Sequence, residues 1–239
     1  MLWQIVRSLL WTDPLIFAAT ILMASLALAA SLVDGTGRLQ HRIARRWARM
    51  ILGISRVKVT VRGRENLQPG ATYVFCSNHL SLIDTPLVFG YLDWEFRILA
   101  RKGLFQVPFL GWHLRRAGHL PVARDDVRAA ARNIVEAARH VAAGVSIMVF
   151  PEGARSPDGR VGDFKAGATF IAIKAGVPVV PVAILGTQQV HRMGSPVVRP
   201  GSVELRIGVP TPTAGVPTGG AERLLGSVRN QILYLIENK

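Results

Sequence analysis

His79 and Asp84 stand five residues apart in Ser77-Asn78-His79-Leu80-Ser81-Leu82-Ile83-Asp84, directly after the apolar run TYVFC. Histidine is the side chain best suited to moving a proton near neutral pH. A carboxylate within reach can hold one ring nitrogen and raise the basicity of the other, as in hydrolase triads. Asp84, just before Thr85-Pro86, is well placed at a helix start while facing back toward the loop. Alone, such a pair is more often structural than catalytic.

A second segment changes that balance. Phe150-Pro151-Glu152-Gly153-Ala154-Arg155-Ser156 takes up where the apolar run SIMVF ends. It puts a carboxylate and a guanidinium on one tight loop. Arginine is the natural bidentate partner of phosphate, and glycine lets backbone N–H groups approach an anion. The alternative is a polar turn with an internal ion pair. Arg101-Lys102 after FRILA, Arg124 after GHLPVA, and Phe164-Lys165-Ala166-Gly167 form a third, looser group. Each of these alone is consistent with a solvated surface charge. The six histidines show no metal-ligand spacing, so no metal is expected. No Gly-x-Ser-x-Gly elbow occurs, and the single cysteine, Cys76, precedes the loop as a buried strand thiol.

These residues need elements to hold them. KVTVRG, TYVFCSN, FRILA, SIMVF, VPVVPVAI and VELRIG read as strands. Helical patterns lie between them. One begins at Asp125-Asp126, buries Val127, Ala131, Ile134, Ala138 and Val141 on one face, and ends at Gly144. Ala221 to Ile236 reads as a last helix, with PTPTAGVPTGG before it as a loop or linker. The alternation predicts an α/β domain with a mixed, largely buried sheet flanked by helices. Strand ends opening into loops are where such folds place active groups.

The N-terminus is different. No charge occurs between Asp13 and Asp34, and Pro14–Val33 would be about 30 Å long as a helix, enough for the hydrocarbon core of a bilayer. A buried core helix and a cleaved signal peptide are the competing readings, the latter because Ala27-Leu28-Ala29 resembles a cleavage site. Asp13 abuts the run where a signal peptide is usually basic, and another membrane-compatible segment follows. From Arg38 to Leu52 the helical period puts Arg38, Arg42, Arg45 and Arg49 on one face and Leu39, Ile43, Trp47, Met50 and Ile51 opposite. That is the pattern of an interfacial helix whose arginines meet lipid phosphates, or of a helix packed on the globular domain. The expected organisation is a two-helix membrane-docking motif over residues 1–54 and a second domain over 55–239. Five arginines after the apolar run, against Arg7 before it, place that domain on the cytoplasmic side of the inner (cytoplasmic) membrane.

The net charge of +14 points to a polyanionic partner, an anionic membrane surface or nucleic acid, or to a solubility charge with no partner, and composition alone does not choose among these. No basic recognition motif with interleaved aromatics appears, so nucleic acid is not expected. One cysteine excludes an internal disulfide.

With these blocks in order, residues 55 to 210 closely resemble the 1-acylglycerol-3-phosphate acyltransferase family. The family's NHxSxxD block matches Asn78 to Asp84, and its FPEGTRS block matches Phe150 to Ser156 with Ala154 in place of Thr. Its G-x-x-x-x-x-R element is similar to Gly118–Arg124, and its KxxLxxxPxxG element to Lys102, Gly103, Leu104, Pro108 and Gly111. Its late proline-containing strand is similar to Val177–Pro181, and its two-helix N-terminus to residues 1–52. The resemblance implies acyl transfer from a thioester, acyl-CoA or acyl carrier protein, to the free hydroxyl of 1-acylglycerol-3-phosphate, giving phosphatidic acid. No cofactor is implied. His79 would be the base and Asp84 its orienter. Glu152, Gly153 and Arg155, with Arg124 and Lys102, would hold the acceptor phosphate. Ser81 would cap the following helix. Ala154 and the segment His119–Ala123 depart from the family pattern and bear on the acceptor. Another lysolipid, such as a lyso-ornithine lipid, is the nearest alternative, and a non-catalytic membrane-tethered binding protein the next.

Overall fold

The structure, a computed structural model, describes residues 2–122 and 127–238. The chain opens with α1 (Leu2–Arg7), a π-helical turn at Ser8–Thr12, and α2 (Asp13–Val33), which run on as one helix. Trp3–Val33 is long and apolar enough to cross a membrane by length and composition. The helix therefore starts before the expected Pro14. Its early residues are tied to the rest of the chain: Arg7 donates to the Val198 carbonyl, and the Ser8 hydroxyl accepts from Val198 N–H.

Asp34 makes the turn to α3 (Arg38–Ile54). Its carboxylate accepts from the Thr36 hydroxyl, Leu39 N–H and Thr36 N–H, which together hold its pKa down at about 2. Gly37 completes the turn at φ +77°, where a Cβ would stand 2.7 Å from the Ala117 carbonyl. The arginine face of α3 differs from one expectation. Arg49 donates to the Gly90 carbonyl and Arg45 to those of Leu92 and Trp94, while Asp93 lies within 3.4 and 3.7 Å of the two guanidiniums. These groups close the next helix, α4 (Asp84–Tyr91), and the exposed carbonyls of a helix end attract cations. The face expected to meet lipid phosphates is thus turned largely onto the protein, and Arg38 faces Glu95.

Among the described residues one seven-stranded sheet follows. Its strands are β1 (Val57–Arg62), β2 (Val74–Ser77), β3 (Phe96–Arg101), β4 (Leu120–Val122), β5 (Ser146–Val149), β6 (Val179–Leu185) and β7 (Gly201–Ile207). The order is β1-β7-β6-β2-β5-β3-β4, parallel except between β6 and β7. β4, short and interrupted by Pro121, is the strand that the sequence pattern does not announce. The helices are α4 (Asp84–Tyr91), α5 (Leu110–Arg116), α6 (Val127–Ala142), α7 (Gly167–Ala175), α8 (Thr187–Val190) and α9 (Ala221–Glu237). The Asp125-Asp126 cap expected for α6 lies outside the described residues.

Both faces of the sheet are covered at its centre, so β2, β5 and β6 are largely apolar, while the edge strand β1 alternates buried and exposed residues. Along β2, Phe75 faces a core shared with Leu52, Leu87 and Phe89 of α3 and α4. Val74 and Cys76 face the opposite core, with Ala137, Ile171 and Val228 of α6, α7 and α9. PTPTAGVPTGG is more than a loose linker. Thr211 pairs with Val179 by two backbone hydrogen bonds, and the Thr213 hydroxyl donates to the Val177 carbonyl. Five parallel strands (β6, β2, β5, β3 and β4) open their carboxyl ends on one edge of the sheet.

Candidate active site

The loops at that edge carry the residues singled out by type. β2 ends because the Asn78 side chain takes over its ladder: the amide accepts from Ile184 N–H at 2.8 Å and donates to the Ile184 carbonyl at 2.9 Å. The backbone is then free to leave the sheet at His79. The His79 ring meets Asp84 through Nδ1 and Oδ2 at 2.8 Å, with Nδ1–H donating to the carboxylate. Asp84 is fully buried at the first residue of α4, and the same Oδ2 accepts from Leu80 and Ser81 N–H. Buried charge is tolerated when it is hydrogen-bonded in this way. The other face of the imidazole stacks on Phe150, with centroids 4.2 Å apart and an angle of 22°. No bond to Nε2 occurs among the described residues, and the side chain keeps 18% of its surface exposed. One ring nitrogen is fixed and the other is open.

The β5 loop grips the same residue from its backbone. Glu152 Oε1 accepts from His79 N–H at 2.8 Å, and Oε2 accepts from Gly162 N–H at 3.2 Å. Ser156 N–H donates to the His79 carbonyl at 2.8 Å. Burial pushes the Glu152 pKa up, opposed by those two N–H groups. Glu152 is expected from the sequence to contact the acceptor; its oxygens here hold the backbones of His79 and Gly162. Gly153 adopts φ +73°, which leaves the Ala154 and Arg155 N–H groups without acceptors among the described residues. The half-buried Arg155 guanidinium has no hydrogen bond or ion pair there either. It lowers the pKa of His191 from the β6 loop, after the larger effect of burial.

Lys165, which in the sequence alone passes for a surface charge, joins the site. Its N–H donates to the Pro151 carbonyl, and its Nζ lies 3.8 Å from where a Gly153 Cβ would be. The only sequence signal is its closeness to the loop in number. Lys102 follows β3, two strands from β2, so its backbone stands about 10 Å along the edge from His79. Arg124 lies outside the described residues. Ser81 is structural but not a helix cap: its hydroxyl donates to the His191 carbonyl and accepts from Ile83 N–H. Cys76 is fully buried, and burial raises its pKa well above the ordinary thiol value. No group of three or more His, Cys, Asp or Glu side chains is placed to hold a metal ion among the described residues.

An oriented imidazole beside open backbone donors and cations, at the carboxyl edge of an α/β sheet, is the arrangement of an α/β protein equipped for proton transfer next to anion-binding groups. The particular family follows from comparison. The acyltransferase family profile matches residues 58–185, and the chain belongs to that family. It is 36% identical over 159 residues to a chloroplastic 1-acyl-sn-glycerol-3-phosphate acyltransferase of Brassica napus, covering 66% of this chain and 46% of that protein. It is 34% identical over 220 residues to a Chlamydomonas reinhardtii enzyme of the same name, covering 91% and 64%. The chain thus spans about half to two thirds of the length of the curated relatives it matches. The crystal structure of the Thermotoga maritima 1-acyl-sn-glycerophosphate acyltransferase PlsC superposes with a TM-score of 0.80 at 28% identity, covering 99% of each chain.

Proposed function

We propose that the chain moves a fatty acyl group from an acyl thioester to the free hydroxyl of 1-acylglycerol-3-phosphate, giving phosphatidic acid at a membrane surface. The observation that carries this is the His79 imidazole, held through Nδ1 by Asp84 and left open at Nε2. Nε2 takes the hydroxyl proton as the oxygen attacks the thioester carbonyl. The tetrahedral intermediate collapses, the C–S bond breaks, and the thiolate leaves with the proton returned by His79. Asp84 holds the ring and stabilises its charged form. No acyl-enzyme is needed, because a thiolate is already a good leaving group.

Arg155, Lys165 and the open N–H groups of Ala154 and Arg155 supply donors for the acceptor phosphate. Lys102 stands further along the same edge as an additional cation. An apolar cavity of about 250 Å³ lies between the N-terminal helices and the sheet domain, walled by Met23, Ala27, Trp47, Phe89 and Leu114. Thr85, next to Asp84, also lines it, which suits a lipid chain arriving beside the base. The helices keep acceptor and product in the bilayer, on the cytoplasmic side.

The test is acyl transfer by the full chain with acyl-CoA and acyl carrier protein donors, across lysolipids with and without phosphate. Transfer to lysophosphatidate above all others is expected. Preference for a phosphate-free lysolipid would overturn the acceptor assignment. His79→Ala should lose about 10²–10⁴-fold in rate while still fractionating with membranes. Wild-type rates in that variant would remove His79 as the base.

A further inference from the structure

The segment between β3 and β4 carries apolar side chains that the fold leaves uncovered. Leu104, Val107, Phe109, Leu110 and Trp112 are all exposed, Phe109 by 75%. The backbone there is built, not loose. Leu110 N–H donates to the Pro108 carbonyl at 2.6 Å, closing a three-residue turn around Phe109 at φ +60° and ψ −51°. A γ-turn of this hand is rare and strained. Gly111 N–H donates to the Val107 carbonyl, and a Gly111 Cβ would stand 2.1 Å from the Phe105 carbonyl oxygen. Phe105 itself is buried, with the Arg115 guanidinium over its ring and bonded to its carbonyl. One aromatic anchors the loop while another is pushed out. In water the strain and the bare phenyl ring are both unfavourable. Contiguous apolar exposure of this kind marks a contact surface.

Two observations select the occupant. Arg101 and Lys102 precede the apolar residues and Arg115 and Arg116 follow them; all four are exposed, and no ion pair joins them to a carboxylate among the described residues. Cations rimming an apolar patch match anionic lipid headgroups over hydrocarbon. The patch is also continuous with the apolar helix. Arg116 donates to the Ser31 carbonyl of α2, and Leu110 and Leu114 wall the same cavity as Met23 and Ala27. α2 itself exposes Leu22, Leu26 and Leu32.

We propose that residues 104–112 form a second membrane-inserting element, with Phe109 and Trp112 in the bilayer beside α2 and the flanking cations at headgroup phosphates. The proposal rests on the membrane reading of the N-terminal helices given above.

Cys76 is the single cysteine and fully buried, so Phe109→Cys in the full chain takes one nitroxide label. Trp112→Cys gives a second reporter, and Glu222→Cys, exposed on α9, the control. Accessibility to oxygen and to a water-soluble nickel chelate is read on vesicles of phosphatidylethanolamine and phosphatidylglycerol. On binding, labels at 109 and 112 should lose chelate accessibility severalfold and gain oxygen accessibility, with the 222 label unchanged. Labels that stay aqueous, or a chain that does not bind the vesicles, would overturn the proposal. So would protection that precedes vesicles and grows with protein concentration, which would mean a second copy covers this face. Acyl transfer measured on the same samples separates the two readings. Inserted labels without transfer leave the wedge standing and remove the enzyme; aqueous labels with transfer do the reverse.

Discussion

Glu152 carries a charge that need not touch substrate. Its oxygens accept from His79 and Gly162 N–H, so Glu152→Gln turns an amide NH₂ toward one of those donors. Losing one charge-assisted bond of this kind should lower kcat roughly 10–100-fold and leave the acceptor KM unchanged, read by steady-state kinetics. A KM rise with intact kcat would return Glu152 to the acceptor's side. Arg155 makes the opposite prediction. Its guanidinium is unpaired among the described residues, so Arg155→Ala should raise KM for a phosphate-bearing acceptor about 10–100-fold and spare kcat. If kcat alone collapses, Arg155 is not a ground-state clamp. The pairing of His79 with Asp84 is legible from residue types and spacing. The role of Glu152 is not, because its partner lies 73 residues away on a neighbouring strand, a relation only the sheet order creates.

Elements are legible where the pattern is strong. The period of α3 correctly gathers its arginines on one side. Period alone cannot say what that side meets, and here the answer is the carbonyl end of α4 with Asp93. β6 shows why proline need not exclude a central strand. In a strand the N–H and C=O of one residue point to the same side. The Pro181 carbonyl accepts from Gly208 N–H, on the β7 side and just past the Val182–Ile207 pair where that ladder ends. The missing N–H therefore removes no bond to β2. β4 escapes because three residues broken by Pro121 carry too little pattern. Gly111 supplies the prediction at this scale. Gly111→Ala forces a Cβ into the Phe105 carbonyl and should cost about 1–3 kcal/mol, visible as a lower midpoint in thermal denaturation. An unchanged midpoint would mean the loop yields freely.

For the whole molecule, the sign of the charge is legible but its destination is not, since several arginines pair internally with Asp93, Glu95 and Glu204. Buried histidines set the acid limit. Burial first, then Arg97, holds His41 at about 4 and His119 at about 3. Arg45 adds to this for His41 and Glu95 opposes it, while His113 and His41 add to it for His119. Both pKa values are depressed, so the unfolded chain takes up protons near about 6.5 that the folded chain refuses. Stability should hold above that pH and fall as pH drops from about 6.5 toward 4, by a few kcal/mol on the order-of-magnitude scale of such shifts. Denaturant titration across that range reads it directly, and a flat profile would contradict the burial. At this scale one short element has a further effect. α4 begins at the carboxylate that orients His79 and ends at the carbonyls gripped by Arg45 and Arg49. Its eight residues make a strut of about 12 Å between the helical hairpin and the His79–Asp84 pair. On the proposed function, a hairpin settled in a bilayer would leave the strut to set the elevation of Nε2 above the lipid plane. Lipids whose hydroxyl rides at that height would then meet His79 without being lifted out, and selection among headgroups would begin as selection by altitude.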